Sequence, residues 1–270
     1  MLNRLLSLAF VALSLGYCQA DEPAELPLLK RFLEECIAIT PGDGFPARGI
    51  QLGTASPRDE LPQITIEMQR KFRISKYEVT QELYQLIMGE NPSRWKGPRN
   101  SVEMMTLAEA QEFCRRLTAK LHENKLLEAT QQVRLPSEVE WEYCCRAGTT
   151  TRYSFGDKAT SDDDKGKLAS VLDAFAWHTG NAAGNDPPVG ALKPNPWGLY
   201  DMHGYLSEFV TADPLLQQIT GNTSDKDQVI IRSGSWKDHY SRLTSSARSL
   251  IPADTRDDAI GFRCVIAAAE

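Results

Sequence analysis

The sequence predicts an α+β fold with little regular secondary structure. Two capping boxes mark helix starts, Thr106 with Glu109 and Ser137 with Glu140, because each hydroxyl and carboxylate can satisfy free backbone amides. Residues 149–204 are rich in Gly, Asn, Asp and Pro, a composition typical of irregular loops. Short β-type segments follow at residues 207–211, 229–232 and 261–266. Together these features predict one compact domain spanning about residues 45–267.

The first part of the chain predicts further elements in order. Residues 25–39 place leucines and Phe32 at helical spacing, which indicates an amphipathic helix before a break at Pro41. The segment 21–44 is therefore expected to form a helix and linker ahead of the domain. The elements expected after it are an opening strand at 45–53, a strand at 64–74, a helix at 78–88 with Thr80 as N-cap, and a loop at 91–105.

Residues 1–20 have the pattern of an export signal. Arg4 is the only charge before Asp21, and an apolar run leads to the small residue Ala20, after which cleavage is expected. A lipid on Cys18 is the alternative, disfavoured by the bulky Tyr17. The apolar run is too short to span a membrane, and no later segment is apolar enough. We therefore expect a periplasmic or extracellular protein, in which Asn222 is a glycosylation acceptor only in a eukaryotic pathway.

Composition narrows the classes of partner. The chain has 270 residues and a net charge of −6, and 41% of its residues are hydrophobic, enough for a sizeable core. Its basic residues are scattered, so no nucleic acid partner is expected. The oligomeric state is left open.

Five cysteines would remain after cleavage, and an oxidising compartment favours disulfides between them. The odd number leaves at least one thiol unpaired or paired with another chain. Cys144 and Cys145 are adjacent, and no spacing resembles a zinc site. The pairing of Cys36, Cys144 and Cys145 stays open.

Several motifs occur in a characteristic order in the second half of the chain. They are RLPSEVEWEYCCRAG at residues 134–148, PNPWGLYDMHG at 194–204, RSGSW at 232–236 and GFRC at 261–264. Together with EVT at 78–80 and the helix ending at Cys114, they resemble the formylglycine-generating enzyme family, also called sulfatase-modifying factors. The resemblance covers about residues 45–266 and implies an irregular fold related to C-type lectins.

This resemblance implies a disulfide between Cys114 and Cys264. It also matches Cys145 to a second family cysteine, whose usual partner falls near Ser245. The family's enzymes oxidise a substrate cysteine with two thiolates that bind copper(I) just after the RGGS-type motif. The corresponding stretch here, KDHYSRLTSSAR at residues 237–248, contains no cysteine, so copper is not expected.

The resemblance also selects a candidate cleft and a weak calcium site. The cleft candidates are Ser235, Trp236, Asp238, His239, Tyr240 and Arg248. Arg248 and Arg263 match recurrent arginines, for which we expect burial against carboxylates. Asp201 and Glu208 are the calcium candidates, although Tyr205 replaces the asparagine that supplies a ligand in the family.

These observations favour a non-catalytic binding or accessory module with a peptide or glycan ligand. The alternative is an oxidoreductase of the same family, either formylglycine-generating by an altered route or another metal-dependent oxidase. Only four histidines are present and they are scattered, which gives the second class little support.

Overall fold

The structure is a computed structural model that describes residues 25–53, 63–184, 186–213, 216 and 227–269. The predicted export signal at residues 1–20, with Cys18, and the acceptor Asn222 lie outside the described residues.

Four α-helices occur in the described part of the chain: α1 (Leu26–Glu34), α2 (Gln81–Met88), α3 (Leu107–Glu123) and α4 (Glu138–Arg146). Both predicted capping boxes are confirmed. The Glu109 amide donates to Thr106 Oγ1 at 3.3 Å, and the Glu109 carboxylate accepts from the Thr106 amide at 2.9 Å. Ser137 and Glu140 make the same reciprocal pair at the start of α4. These contacts fix where α3 and α4 begin.

Ten strands are present in the same residues: β1 (Cys36–Ile39), β2 (Ile50–Leu52), β3 (Ile64–Ile66), β4 (Phe72–Ser75), β5 (Gln131–Arg134), β6 (Ser207–Val210), β7 (Gln228–Arg232), β8 (Arg248–Pro252), β9 (Ile260–Gly261) and β10 (Val265–Ala268). They form a sheet in the order β1-β4-β10-β5, a β2-β3 pair, and a sheet in the order β8-β7-β6-β9. The β6–β9 pair is parallel, and the other paired strands are antiparallel.

The first predicted helix is shorter than expected. It ends at Glu34, and Cys36–Ile39 forms β1, which pairs with β4. The β-branched Ile37 and Ile39 suit this strand. The segment before residue 45 thus supplies an edge strand of the first sheet.

Two predicted strands are each divided in the structure. Residues 64–74 contain β3 and β4, which belong to different sheets, and residues 261–266 cover parts of β9 and β10. The predicted strand at 45–53 is reduced to β2, whereas β5 and β8 were not predicted. By contrast, the described part of residues 149–204 contains only a short 3-10 turn, Leu172–Ala174, as the composition predicted.

The prediction of an α+β fold with little regular structure is confirmed. Two main apolar clusters fill it. One packs α2 and α3 against β6, β7 and β9, through residues such as Phe113, Phe209 and Phe262. The other surrounds Trp141 of α4. No helix within the described ranges combines the length and apolar character needed to cross a membrane.

Candidate functional site

A cleft of about 440 Å³ lies on the second sheet, beside the loop that follows β7. Apolar side chains, including Ile231, Ile251 and Ile260, line it together with polar groups of the loop. Of the residues predicted for the site, three line this cleft: Ser235, Asp238 and Arg248. The other lining residues are Ser207, Gly234, Lys237, Ser241, Arg242, Ala247, Ser249, Asp257 and Ala259.

The strand registers place the cleft on one face of this sheet. Side chains alternate along a strand, and residues opposite each other in adjacent strands share a face. Ile231 lies opposite Phe209 and Ser249, whereas Arg232 lies opposite Glu208 and Arg248. We call the side with Ile231 and Ser249 the cleft face, and the side with Glu208, Arg232 and Arg248 the ionic face. Arg248, the first residue of the edge strand β8, belongs to the ionic face by register and also contributes to the cleft lining.

The loop after β7 begins with two residues in the left-handed region, Ser233 at φ 84° and Gly234 at φ 77°. Glycine adopts this conformation readily, but serine does so at a cost. The Ser233 hydroxyl accepts a hydrogen bond from the Gly204 amide at 2.8 Å, which holds the strained residue in place. This turn directs Ser235 and the following residues towards the cleft.

Asp238 fixes the next part of the loop. Its Oδ2 accepts from the Ser235 hydroxyl at 2.8 Å and from the Ser235 amide at 2.9 Å. Lys237 between them donates to Asp257 at 2.6 Å and also contacts Asp258. The rim is therefore held by polar contacts within the protein, and its hydroxyl and carboxylate are already oriented.

Trp236, His239 and Tyr240 do not line the cleft, although they were predicted with it. The Trp236 indole nitrogen donates to the Asp258 carbonyl at 3.2 Å. His239 caps the 3-10 turn Tyr240–Arg242 and packs on Tyr240 with tilted rings, 4.0 Å between ring centroids. The sequence places these residues in the correct loop, but the turn at 240 carries two of them away from the cavity.

Arg248 lies on the ionic face and packs against a carboxylate, as expected. Its Nε donates to Glu138 at 2.8 Å, and Arg232 donates to the same carboxylate at 2.7 Å. Arg232 also bonds Glu142, which in turn pairs with Arg146. Burial would raise the pKa of Glu138, but Arg232 and Arg248 hold it below its ordinary value. All of these side chains are nearly or fully buried, so the network is a fixed support beneath β7 and β8.

The cysteines of the described residues lie away from the cleft. Cys114 and Cys264 are adjacent and buried, with 3.9 Å between their sulfur atoms, so the disulfide between them stays a prediction. Cys145 donates to the Met202 carbonyl at 3.3 Å. Burial raises its pKa to about 12, while the nearby Ser245 hydroxyl acts to lower it. Ser245 thus lies beside Cys145, at the position where the resemblance places a partner cysteine.

Copper(I) does not fit this site. It requires soft thiolate ligands, and the cleft offers hydroxyl, carboxylate and cationic groups instead. The buried thiols of Cys145 and Cys264 both have raised pKa values because of desolvation, which disfavours the thiolate form. No step through copper can therefore be derived from these residues.

Glu208 and Asp201, the predicted calcium ligands, have other contacts. Both Glu208 oxygens accept from Arg263 at 2.7 Å, and one also accepts from the Trp141 indole at 2.9 Å. Asp201 accepts from the Gly190 amide at 2.8 Å, and burial raises its pKa to about 6. Within the described ranges, no group of three or more metal-binding side chains is found. The geometry gives the calcium prediction no support, and Arg263 is buried against a carboxylate as predicted.

Two histidines outside the cleft have well-defined partners that the sequence did not reveal. His178 pairs with Asp173 at 2.7 Å and accepts from the Gly180 amide at 3.0 Å. His203 is buried among Ser154, Leu243 and Cys145, and burial lowers its pKa to about 4. Both side chains fill structural positions in the loop-rich half.

The fold and the cleft define a class: an irregular α+β protein with a ligand-sized cavity on a sheet and no thiols around it. Residues 30–268 match the family model described as "Sulfatase-modifying factor enzyme 1-like domain". The chain belongs to this family. The match covers most of the chain, including both four-stranded sheets.

The curated relatives carry different names within that family. The chain is 29% identical over 181 residues to "Chaperone protein LppX" of Paenibacillus barcinonensis, covering 51% of this chain and 61% of the relative. It is 33% identical over 147 residues to the formylglycine-generating enzyme of Mus musculus, covering 48% and 38%. A third relative is "Inactive C-alpha-formylglycine-generating enzyme 2" of Bos taurus, at 29% identity over 143 residues, covering 48% and 43%. The matched regions thus span between 38% and 61% of each relative's length.

A solved structure shows the same fold. "Treponema denticola variable protein 1" superposes with a TM-score of 0.68 at 23% identity, covering 87% of this chain and 95% of that one. At this identity the likeness supports the architecture alone.

Proposed function

We propose that this chain is an exported, non-catalytic recognition module built on the sulfatase-modifying-factor fold. The observation that carries the proposal is the lining of the cleft, which combines an apolar floor with oriented hydroxyl and charged groups and contains no thiol. Such a cavity suits binding, since apolar surface and a few placed polar groups give affinity and orientation.

The relatives support this proposal without deciding it. Two of them are named as a chaperone and as an inactive enzyme, and one is named as a formylglycine-generating enzyme. The family therefore includes proteins named for catalysis and proteins named for other roles. The chemistry of the cleft, which lacks copper(I) ligands, favours the second group for this chain.

The catalytic part is tested by mass spectrometry of a Cys-x-Pro-x-Arg peptide incubated with the folded protein, copper and oxygen. We expect the peptide to remain unchanged, while the formylglycine-generating enzyme of Mycobacterium tuberculosis serves as the positive control. Conversion of the peptide cysteine to formylglycine by this chain would refute the proposal.

Export is tested through the cysteines. We propose that an oxidising compartment joins Cys114 to Cys264, whose sulfur atoms already lie 3.9 Å apart. A peptide map of protein recovered from that compartment, digested without reduction, should contain the cross-linked pair. Recovery of both thiols free from that compartment would contradict the disulfide, and full retention of the chain in the cytoplasm would contradict export.

A further inference from the structure

The outer edge of β8 has a defined hydrogen-bonding phase. β8 ends the second sheet, and its residues pair with β7 from Arg248 to Pro252. Just beyond, the Ala253 amide donates to the Asp227 carbonyl at 2.9 Å, in the same register. In an antiparallel pair, alternate residues turn their backbone groups towards the partner strand. The backbone groups of Ile251 and Ser249 therefore point towards β7, while those of Arg248, Leu250 and Pro252 point away from the sheet.

Pro252 and Leu250 differ in how their outward groups are satisfied. Pro252 has no amide hydrogen, and its carbonyl accepts from the Thr255 hydroxyl at 2.7 Å. Among the described residues, none forms a hydrogen bond with the amide or carbonyl of Leu250, apart from those inherent to the strand. The Leu250 residue is also 44% exposed, which is high for a large apolar residue in a strand. As far as the described residues extend, the centre of this edge is open to a new strand.

One edge of the first sheet is closed by comparison. β5 is the terminal strand at that edge, opposite β1, and Thr118 of α3 covers it. The Thr118 hydroxyl accepts from the Val133 amide at 2.9 Å, and it donates to the Cys114 carbonyl at 2.8 Å, with the Val133 carbonyl at 3.3 Å. Proteins commonly cover exposed strand edges, because unpaired edges recruit other chains. The β8 edge lacks such a cover within the described residues.

The cleft adjoins this open edge. Ser249 and Ile251 of β8 line it, on the face that carries Ile231. Both signs of charge line the cleft, with the cations Lys237, Arg242 and Arg248 and the anions Asp238 and Asp257. Lys237 contacts Asp257 and Asp258, and Arg248 contacts Glu138. A rim of mixed charge and an apolar floor match an uncharged ligand with alternate apolar groups better than an ionic one.

We propose that the outer edge of β8 binds an extended, uncharged polypeptide segment as an added strand, with alternate apolar side chains entering the cleft. Main-chain hydrogen bonds to Leu250 would supply affinity, and the cleft would select side chains. This inference rests on the proposed recognition function and commits it to a polypeptide instead of a glycan.

The test uses the peptide acetyl-Thr-Val-Thr-Val-Thr-amide, titrated into the full chain and followed by backbone amide NMR. Two further peptides carry backbone N-methyl groups. One is methylated on both valine nitrogens, and the other on the nitrogens of the threonines at peptide positions 3 and 5. These nitrogens lie on opposite edges of an extended strand. We expect the parent to bind and to protect the Leu250 amide from hydrogen exchange. We expect one methylated peptide to lose affinity about tenfold while the other keeps it, since only one edge pairs with β8.

Matched variants test the same contact from the protein side. Leu250→Pro removes the outward amide but no bond to β7, whereas Leu250→Ala removes the side chain and keeps the amide. We expect the proline variant to lose about tenfold more affinity than the alanine variant. Amide protection of Ile251 reports whether each variant keeps β8 folded. If the proline variant loses β8, the methylated peptides alone test whether a strand is added at Leu250.

Three outcomes would overturn the inference. They are absence of binding by the parent peptide, equal binding by both methylated peptides, and binding in the cleft by glycans alone. The last outcome would leave the proposed recognition function intact. Formation of formylglycine on the Cys-x-Pro-x-Arg peptide would instead refute the proposed function, whatever the methylated peptides show.

Discussion

The two faces of the second sheet are built on different principles. On the ionic face, Arg232 is fully buried between Glu138 and Glu142, and Arg263 is fully buried against Glu208. On the cleft face, Lys237 pairs with Asp257, and both side chains are 40% exposed. The same kinds of charges are locked on one side and solvated on the other.

This difference separates scaffold from surface. A buried charge that loses its partner remains in a poorly solvating interior, so each member of the ionic face is needed by the others. An exposed pair contributes little, because water can replace either partner. The ionic face should therefore tolerate few changes, and the cleft face should be free to vary its ligand contacts.

The largest effect is expected from breaking the ionic face. Arg232→Met leaves two buried carboxylates with fewer partners, so the free energy of unfolding should fall by about 3–5 kcal/mol. The matched control is Arg256→Met, which removes an arginine–carboxylate pair of the same 2.7 Å length at an exposed position. Its cost should stay below about 1 kcal/mol. Urea denaturation measures both, and equal losses would abolish the distinction between buried and exposed pairs.

Asp201 is a buried charged residue whose replacement should raise the free energy of unfolding, in contrast to Arg232. Burial raises its pKa from 3.8 to about 6, so the folded chain holds a proton that the unfolded chain has already released. Stability therefore falls as the pH rises through this window and stays lower above it. Asp201→Asn should stabilise the protein by about 1–3 kcal/mol at pH 7.5 and have little effect at pH 3.5. Unfolding curves at both pH values check this, and a loss of stability at pH 7.5 would contradict it.

His203 and Asp201 have opposite effects on stability as the pH falls. Burial lowers its pKa from 6.5 to about 4, so the unfolded chain takes up the proton first as the pH falls. The contribution of neutral His203 to the free energy of unfolding is fully present above pH 6.5 and is lost as the pH falls towards 4. Between pH 7 and pH 5 the free energy of unfolding should fall by about 2 kcal/mol from this group. NMR titration of the imidazole, assigned with His203→Asn, should show no protonation above pH 5. A midpoint near 6.5 would show that the ring is solvated.

The smallest effect is expected on the cleft face. Lys237→Met removes the contacts with Asp257 and Asp258, yet the unfolding free energy should change by less than about 1 kcal/mol. Thermal unfolding beside the wild-type chain measures this change. A loss as large as that of Arg232→Met would show that the cleft rim is part of the scaffold.

Local signals in the sequence predicted the helices more reliably than the strands. The capping boxes of Thr106 and Ser137 act within one turn, so the starts of α3 and α4 could be predicted from adjacent residues. β1 and β8 instead depend on pairing with β4 and β7, which lie far away in the chain. β8 also carries serine and proline, and it is stable as a strand because β7 supplies its hydrogen bonds.

The same limit applies to the candidate site. The motif RSGSW identified the loop, and Ser235 and Asp238 do line the cleft. Ser249, Ile251 and Asp257 were missed, because only the fold brings them to this cavity. Tyr240 and His239 were included because they are neighbours in sequence, although the turn at 240 directs them elsewhere. Sequence proximity found the loop, and tertiary pairing decided which of its side chains meet.

The stretch from Ile260 to Ala268 has a consequence for biosynthesis. β9 pairs with β6 in the second sheet, and β10 lies between β4 and β5 at the centre of the first. Neither four-stranded sheet can be completed until these residues have left the ribosome. Contacts this distant in sequence form slowly, and apolar surface stays exposed while they are awaited. Both sheets therefore stay incomplete until this one stretch is available, so the completion of one sheet is coupled to the completion of the other.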